Sequence, residues 1–356
     1  MLYRKLIADT IARELIDSKI KIPSLPDSAP ALLSMMNQPL DQIDLLQLES
    51  LIKSDPVLFA QLIKLANSPY YRTSVEVTGL RTAIMRIGLV DTIHSLYGYL
   101  FKNTLPAFPN IEGFSDKEFW EESWACAIAC RRLGDPRLMV SVRPGELYIS
   151  GLLHGIGRLI LAVYDPLGFR RCIETATNFK ARTLEDAELE IFKTTDSLVA
   201  GAILEWWKIP ENICAGVSHW QHPGNSPPEY REIASLVQFG CSIVRLSGII
   251  KGCPGMDSAS TGSSLEDISS TYLLSRGEFP IAEGVHKYRL VQEVVSILDK
   301  SLNSSNNHEK NGAPVPGAGK RKKVSSGHDK NSKRNNKGRN HIEKKGFWDW
   351  LKKFFV

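Results

Sequence analysis

The sequence predicts an all-α protein: a body of packed helices over residues 1–302, then a disordered basic tail. Three observations point there. Apolar residues recur at three- and four-residue spacing through the body, the period of a helix face. No stretch of strict alternation is long enough to propose a strand. At Asn303 the composition shifts abruptly to Asn, Ser, Gly, Lys and Arg. With 356 residues, 43% of them hydrophobic, the chain can bury a large core.

Taken in order, the pattern predicts helices over 3–18, 27–37, 45–53, 56–66, 79–87, 90–103, 117–133, 145–160, 166–178, 183–193, 196–207, 210–220, 230–248 and 286–301. The first carries Asp9, Glu14 and Asp17, which sets it apart from a signal peptide. The fourth has a defined start and stop. Ser54 or Asp55 can cap its free amides, Pro56 suits its first turn, and Asn67-Ser68-Pro69 ends it. Leu58, Leu62 and Leu65 share one face, widened by Phe59, Ile63 and Ala66. Gly88 can end the 79–87 helix and let the next one turn away. Residues 251–270, rich in serine with Gly252, Pro254 and Gly255, read as a flexible loop. No run of about 18 apolar residues occurs, so no spanning helix is expected.

Charge divides the chain. Residues 303–356 hold 14 Lys/Arg against 4 Asp/Glu, whereas residues 1–302 hold 30 against 35. The basic balance is a property of the tail. Six cysteines, at 126, 130, 172, 214, 241 and 253, show no Cys-x-x-Cys spacing. That fits buried thiols in a reducing cytosol better than disulfides or a zinc site.

The segment Asp55-Pro56 through Ala66-Asn67-Ser68 resembles the opening signature of the HDOD family, bacterial signalling domains related to HD-type metal phosphohydrolases. Other motifs follow in that family's order: Leu25-Pro26, Ala83-Ile84 with Gly88, Phe119-Trp120 with Ser123, Gly151-Leu152-Leu153-His154-Gly155-Ile156-Gly157, and Gly201-Ala202 with Trp207 and Pro210. They span about residues 20 to 222. The resemblance implies two helical lobes, an N-terminal one and a degenerate HD lobe, with a groove between them.

The departures from the family pattern bear on chemistry. HD enzymes gather metals with a histidine, an adjacent His-Asp pair and further His or Asp groups. Divalent ions need imidazole nitrogens and carboxylate oxygens converging on one point. Here the first histidine position resembles Glu122, the His-Asp pair is His154-Gly155, and a later histidine falls near Ser197. His219 survives, with His222 three residues on. Glu122, His154 and His219 are therefore vestigial candidates. The sequence predicts no bound metal, no cofactor and no catalysis. His154 is expected to be a core histidine bonded to a neighbouring group, and His219 and His222 a solvated helix end. Trp120, Trp124, Trp206 and Trp207 are expected to pack in the core.

The tail divides in two. Residues 303–346 have almost no apolar groups and are expected to be a disordered linker. Residues 347–356 are dense in Phe347, Trp348, Trp350, Leu351, Phe354 and Phe355, beside Lys352 and Lys353. On a helix the apolar groups fall largely on one face, and so short a helix should form only on contact with a partner. Three partners suit it: an anionic membrane surface, a groove on another protein, or nucleic acid, which lacks any folded readout module here.

The expectation is a non-catalytic regulatory protein of bacterial signal transduction, acting through protein–protein contacts from the cytoplasm, with peripheral membrane association through the tail as one version. No GGDEF-like, EAL-like, receiver or kinase segment is visible, which suggests a stand-alone copy. The alternatives are a metal-dependent phosphohydrolase using Glu122, His154 and His219, and a nucleic-acid regulator working through the tail. Oligomeric state is not legible.

Overall fold

The computed structural model describes residues 2–247, except 18–21, 37, 39–41, 69–70, 72–74, 139 and 179–182, together with 292–297. The predicted loop at 251–270, the linker and the aromatic tip lie outside these residues.

Fourteen α-helices and no strands occur among the described residues from 2 to 247. They are α1 (Leu2–Asp17), α2 (Ser28–Met36), α3 (Leu45–Ser54), α4 (Pro56–Ala66), α5 (Leu80–Ile87), α6 (Leu89–Thr104), α7 (Asp116–Leu133), α8 (Pro144–Leu153), α9 (Ile156–Tyr164), α10 (Pro166–Asn178), α11 (Leu184–Ile191), α12 (Asp196–Trp206), α13 (Glu211–Ser218) and α14 (Arg231–Leu246). Helices α2 to α6 pack on one another as a first lobe, and α7 to α14 form a second. Helix α1 comes first in the chain but packs against α12, in the second lobe.

Local chemistry explains the boundaries. Of the two candidate caps for α4, Asp55 does the work: its carboxylate accepts from the amides of Val57 and Leu58 at 2.9 and 3.1 Å. Beyond α4, the Asn67 side chain pairs with the backbone of Val77, donating to its carbonyl at 2.6 Å and accepting from its amide at 2.8 Å. This pairing ties the end of α4 to the start of α5. Gly88 joins α5 to α6 at φ +92°, a conformation that favours glycine. Ser115 caps α7, and Thr195 caps α12.

One predicted helix is really two. The 145–160 pattern breaks at His154-Gly155, where Gly155 has φ −102° and ψ 1°. Apolar periodicity could not mark the break, because every residue from Leu147 to Ala162 is buried and no polar face changes side. The stretch Pro144–Tyr164 is also apolar enough in composition to cross a membrane, but 94% of its most apolar window lies inside the protein. It is the central element of the second lobe. Gly157 lets α9 lie against α12: a Cβ there would fall 1.8 Å from the Asp196 carbonyl oxygen.

Aromatic groups fill the seam between the lobes. His94 of α6 stacks on Tyr148 of α8 with centroids 3.9 Å apart. Phe101 of α6 meets Trp207 at 5.6 Å, and the Trp207 indole donates to the Pro23 carbonyl at 3.0 Å. Burial and the nearby Arg131 charge hold the His94 imidazole well below its ordinary pKa, so the stacked ring is neutral. Trp120 and Trp124 are also buried, in line with their expected core role. The 292–297 segment is helical; its Val294 is buried, and its Glu293 pairs with Arg132 of α7.

Candidate functional site

Five helices and the residue after a sixth bring charged and polar groups together inside the second lobe. Glu122 comes from α7, His154 from the end of α8, Arg158 from α9, Glu188 from α11 and Asp196 from the start of α12. All five are buried to within 1% exposure. Arg245 of α14 and Trp220, just beyond α13, close the group.

Glu122 is the centre of charge. Arg158 Nη1 donates to its Oε2 at 2.9 Å, and Arg245 donates to its Oε1 through Nε and lies 2.9 Å away through Nη2. Burial pushes the Glu122 carboxyl up, but Arg158 and Arg245 more than reverse this and hold it well below the ordinary carboxylate range. Arg245 also lies 4.7 Å over the Trp220 ring, a cation–π contact.

His154 is a bonded core histidine, as the sequence suggested. Its Nδ1 donates to the Gly151 carbonyl at 2.7 Å, and Arg158 Nη2 lies 3.3 Å from its Nε2; burial lowers the imidazole pKa, but the neighbouring Cys126 and Glu122 outweigh this and raise it to about 9. Glu122 Oε1 is 3.8 Å from that Nε2, and Trp220 meets the ring edge-on at 5.2 Å.

Behind Arg158 lies an acid pair. Arg158 Nε is 3.5 Å from Asp196 Oδ2, and the Asp196 amide donates to Glu188 Oε2 at 2.9 Å. Burial, and then the neighbouring Asp196 charge, push the Glu188 carboxyl well above its ordinary range. Asp196 is also raised by burial, with Arg158 opposing. Burial thus favours the neutral acid at Glu188, while Asp196 faces the guanidinium.

Of the sequence candidates, Glu122 and His154 do meet. His219 does not join them, which corrects its place in the vestigial set. It ends α13 with φ −119°, and the chain turns so that Trp220 enters the cluster instead. His219 is half-buried and lines a separate cavity of about 110 Å³ with Lys5, Glu205, Ser218 and Tyr230. Burial and Lys5 lower its pKa. His222 is exposed, as expected, and pairs with Glu185 at 2.9 Å. Ser197 is buried beside Asp196, its hydroxyl 3.0 Å from that of Thr195. A second cavity of about 340 Å³ opens between Ser141, Arg143, Asn212 and Glu232, also in the second lobe.

Sequence reasoning passed over Arg158, Arg245, Glu188 and Asp196. Arg158 carried a signal, being the one charge in the apolar run from Ile156 to Tyr164. A lone charge on a fully buried helix needs a buried partner.

These residues do not fit a divalent ion. Both Glu122 oxygens are taken by guanidinium groups, and Arg158 Nη2 covers the imidazole Nε2. A softer grouping exists in Cys126, His154 and Cys241, whose ligand atoms lie within 4.8 Å of one another. Burial pushes both thiols well up, against the thiolate a metal requires, and the same guanidinium lies on the imidazole.

The sequence profile of the HDOD domain matches residues 22–223. The chain belongs to the HDOD domain family. Solved structures with the same fold include an HDOD domain protein of unknown function from Geobacter sulfurreducens, 20% identical with TM-score 0.60, covering 82% of this chain and 97% of that one. A candidate signal transduction protein from Marinobacter aquaeolei is 18% identical with TM-score 0.61, covering 84% and 66%. A candidate phosphohydrolase from Shewanella amazonensis is 19% identical with TM-score 0.59, covering 82% and 95%. At such identities the likeness speaks for the fold alone. An uncharacterised protein of Treponema pallidum is 22% identical over 242 residues, 66% of this chain but 44% of that protein. The chain thus spans less than half the length of that relative.

Proposed function

We propose that this HDOD protein is a non-catalytic regulator of signal transduction that works through protein–protein contacts. One observation carries the reading: the Glu122 carboxylate, where an HD-type enzyme would present a metal ligand, is bound on both oxygens by Arg158 and Arg245. Hydrolysis by an HD-type site needs an open metal with an activated water. A closed ion-pair cluster offers no open position at Glu122, since both of its oxygens accept from guanidinium groups. The name of the Marinobacter relative adds an analogy for signalling, and the Shewanella name one for hydrolysis. The phosphohydrolase alternative also loses a ligand, since His219 lies in a different cavity.

The aromatic tip at Phe347, Trp348, Trp350, Leu351, Phe354 and Phe355 completes the proposal as a docking segment for a protein groove or an anionic membrane, from a cytoplasmic location. The basic linker gives it reach. Nucleic acid is the weaker partner, because phosphate contacts alone give binding that collapses with salt.

The test uses the full chain purified in the presence of Mn²⁺. Elemental analysis should find no stoichiometric metal, and a generic phosphodiester should not be hydrolysed. About one tightly held ion per chain, with hydrolysis that it supports, would reverse the reading. In the same preparation, a chain ending at Asn340 should lose any binding to anionic vesicles or to a captured protein that the full chain shows through its tip.

A further inference from the structure

The loss of the His-Asp pair and the presence of a buried arginine look like separate peculiarities. The geometry makes them one. Arg158 is fully buried, and each of its three nitrogens faces a different group of the site. Nη1 donates to Glu122 on α7, Nη2 meets His154 at the end of α8, and Nε faces Asp196 on α12. Imidazole, glutamate and aspartate converge from three helices, as they would on a metal, but the cation at their focus is covalently attached to α9.

Gly155 is what admits it. A Cβ placed on Gly155 would fall 2.1 Å from Arg158 Nη2, 2.8 Å from Cζ and 3.1 Å from Nε. Contacts that short cannot persist, and the guanidinium is held on three sides. Backbone geometry does not require glycine here, since φ −102° and ψ 1° are open to any L-residue. The position is glycine for space alone. An aspartate at 155 and the observed guanidinium of Arg158 exclude one another.

We propose that Arg158 is the resident cation of this site, standing in place of a divalent ion, and that Gly155 is the vacancy that lets it do so. This rests on the non-catalytic reading above and supplies its physical cause. The guanidinium ties α7, α8, α9 and α12 together without any ion from solution.

The test is a double-mutant cycle in the full chain, using Gly155→Ala, Arg158→Met and the pair together. Methionine nearly fills the arginine stem but ends in a flexible, neutral group. Gly155→Ala should lower the melting temperature of the wild type by about 5 °C or more, the shift expected of overpacking in a domain of this size. In the Arg158→Met background the same alanine should cost less than half that shift, because the group it strikes is gone. Equal losses in both backgrounds, or a larger loss in the Arg158→Met background, would overturn the coupling while leaving the non-catalytic reading intact.

A second arm reads the cation itself. The variant Gly155→Asp/Arg158→Ala restores a His-Asp pair facing Glu122 and Asp196. Mn²⁺ should raise its melting temperature and leave that of the wild type unchanged. A wild type that binds Mn²⁺ would overturn both readings. A double variant that folds and ignores Mn²⁺ would overturn the claim that Arg158 occupies a metal's place.

Discussion

At the scale of single residues, the buried acids behave in opposite ways. Glu122 is held below its ordinary range by two arginines, so its contribution to stability is present above the unfolded pKa and lost as pH falls through the folded one. Glu188 is held above its range by burial and by Asp196. The folded state then keeps a proton that the unfolded state, titrating at about 4.3, gives up. Its contribution is fully present below that pH and lost as pH rises through the folded pKa. Glu188→Gln removes this loss while keeping an oxygen for the Asp196 amide. The variant should therefore gain on the wild type as pH rises above about 4.5, read as urea midpoints at several pH values. A constant difference across that range would mean that Glu188 is ionised in the fold. The histidine and the glutamate of this site were legible, because each stands at a motif position. Their partners were not. Arg245 and Glu188 sit in ordinary amphipathic stretches, and only the third dimension shows that α14 and α11 deliver them to the same place.

At the scale of elements, the sequence located helices well wherever a cap or a glycine marks the end. The α4 limits follow from Asp55, Pro56 and Asn67, and the observed helix runs Pro56–Ala66. Asp55→Ala leaves two first-turn amides without their acceptor and should cost about 1 kcal/mol, measured by denaturant unfolding, with Asp55→Asn recovering most of it. No loss on the alanine change would mean that solvent satisfies those amides equally well. The predicted 145–160 helix failed for the converse reason. Its turn at His154-Gly155 has no polar punctuation and no proline, and glycine inside a helical pattern does not by itself announce a break. What requires the glycine is a side chain three residues on, reaching back from the next helix.

At the scale of the whole molecule, the boundaries of the family match and those of the folding unit differ. The match covers residues 22–223. Helix α1 lies before it, yet buries Ala8, Ile11, Ala12 and Leu15 against the second lobe. Polar contacts fix the same docking: Lys5 pairs with Glu205 at 3.1 Å, Thr194 donates to the Arg4 carbonyl at 2.9 Å, and Tyr164 donates to Glu14 at 2.7 Å. Helix α14 lies beyond the match, yet packs on α7 and sends Arg245 to Glu122. None of this was legible from periodicity, which reports that a helix has a buried face but not what covers it. A fragment cut to 22–223 would expose the α12 face that α1 covers and leave Glu122 one guanidinium short in a buried site, a mutilation worth several kcal/mol on each count. That is comparable with the whole stability of an ordinary domain. The fragment should therefore fail to give a cooperative thermal transition, whereas residues 1–302 should give one close to that of the full chain. A fragment 22–223 that melts cooperatively near the full-length temperature would show that α1 and α14 are appendages, and that the cluster around Glu122 stands without Arg245.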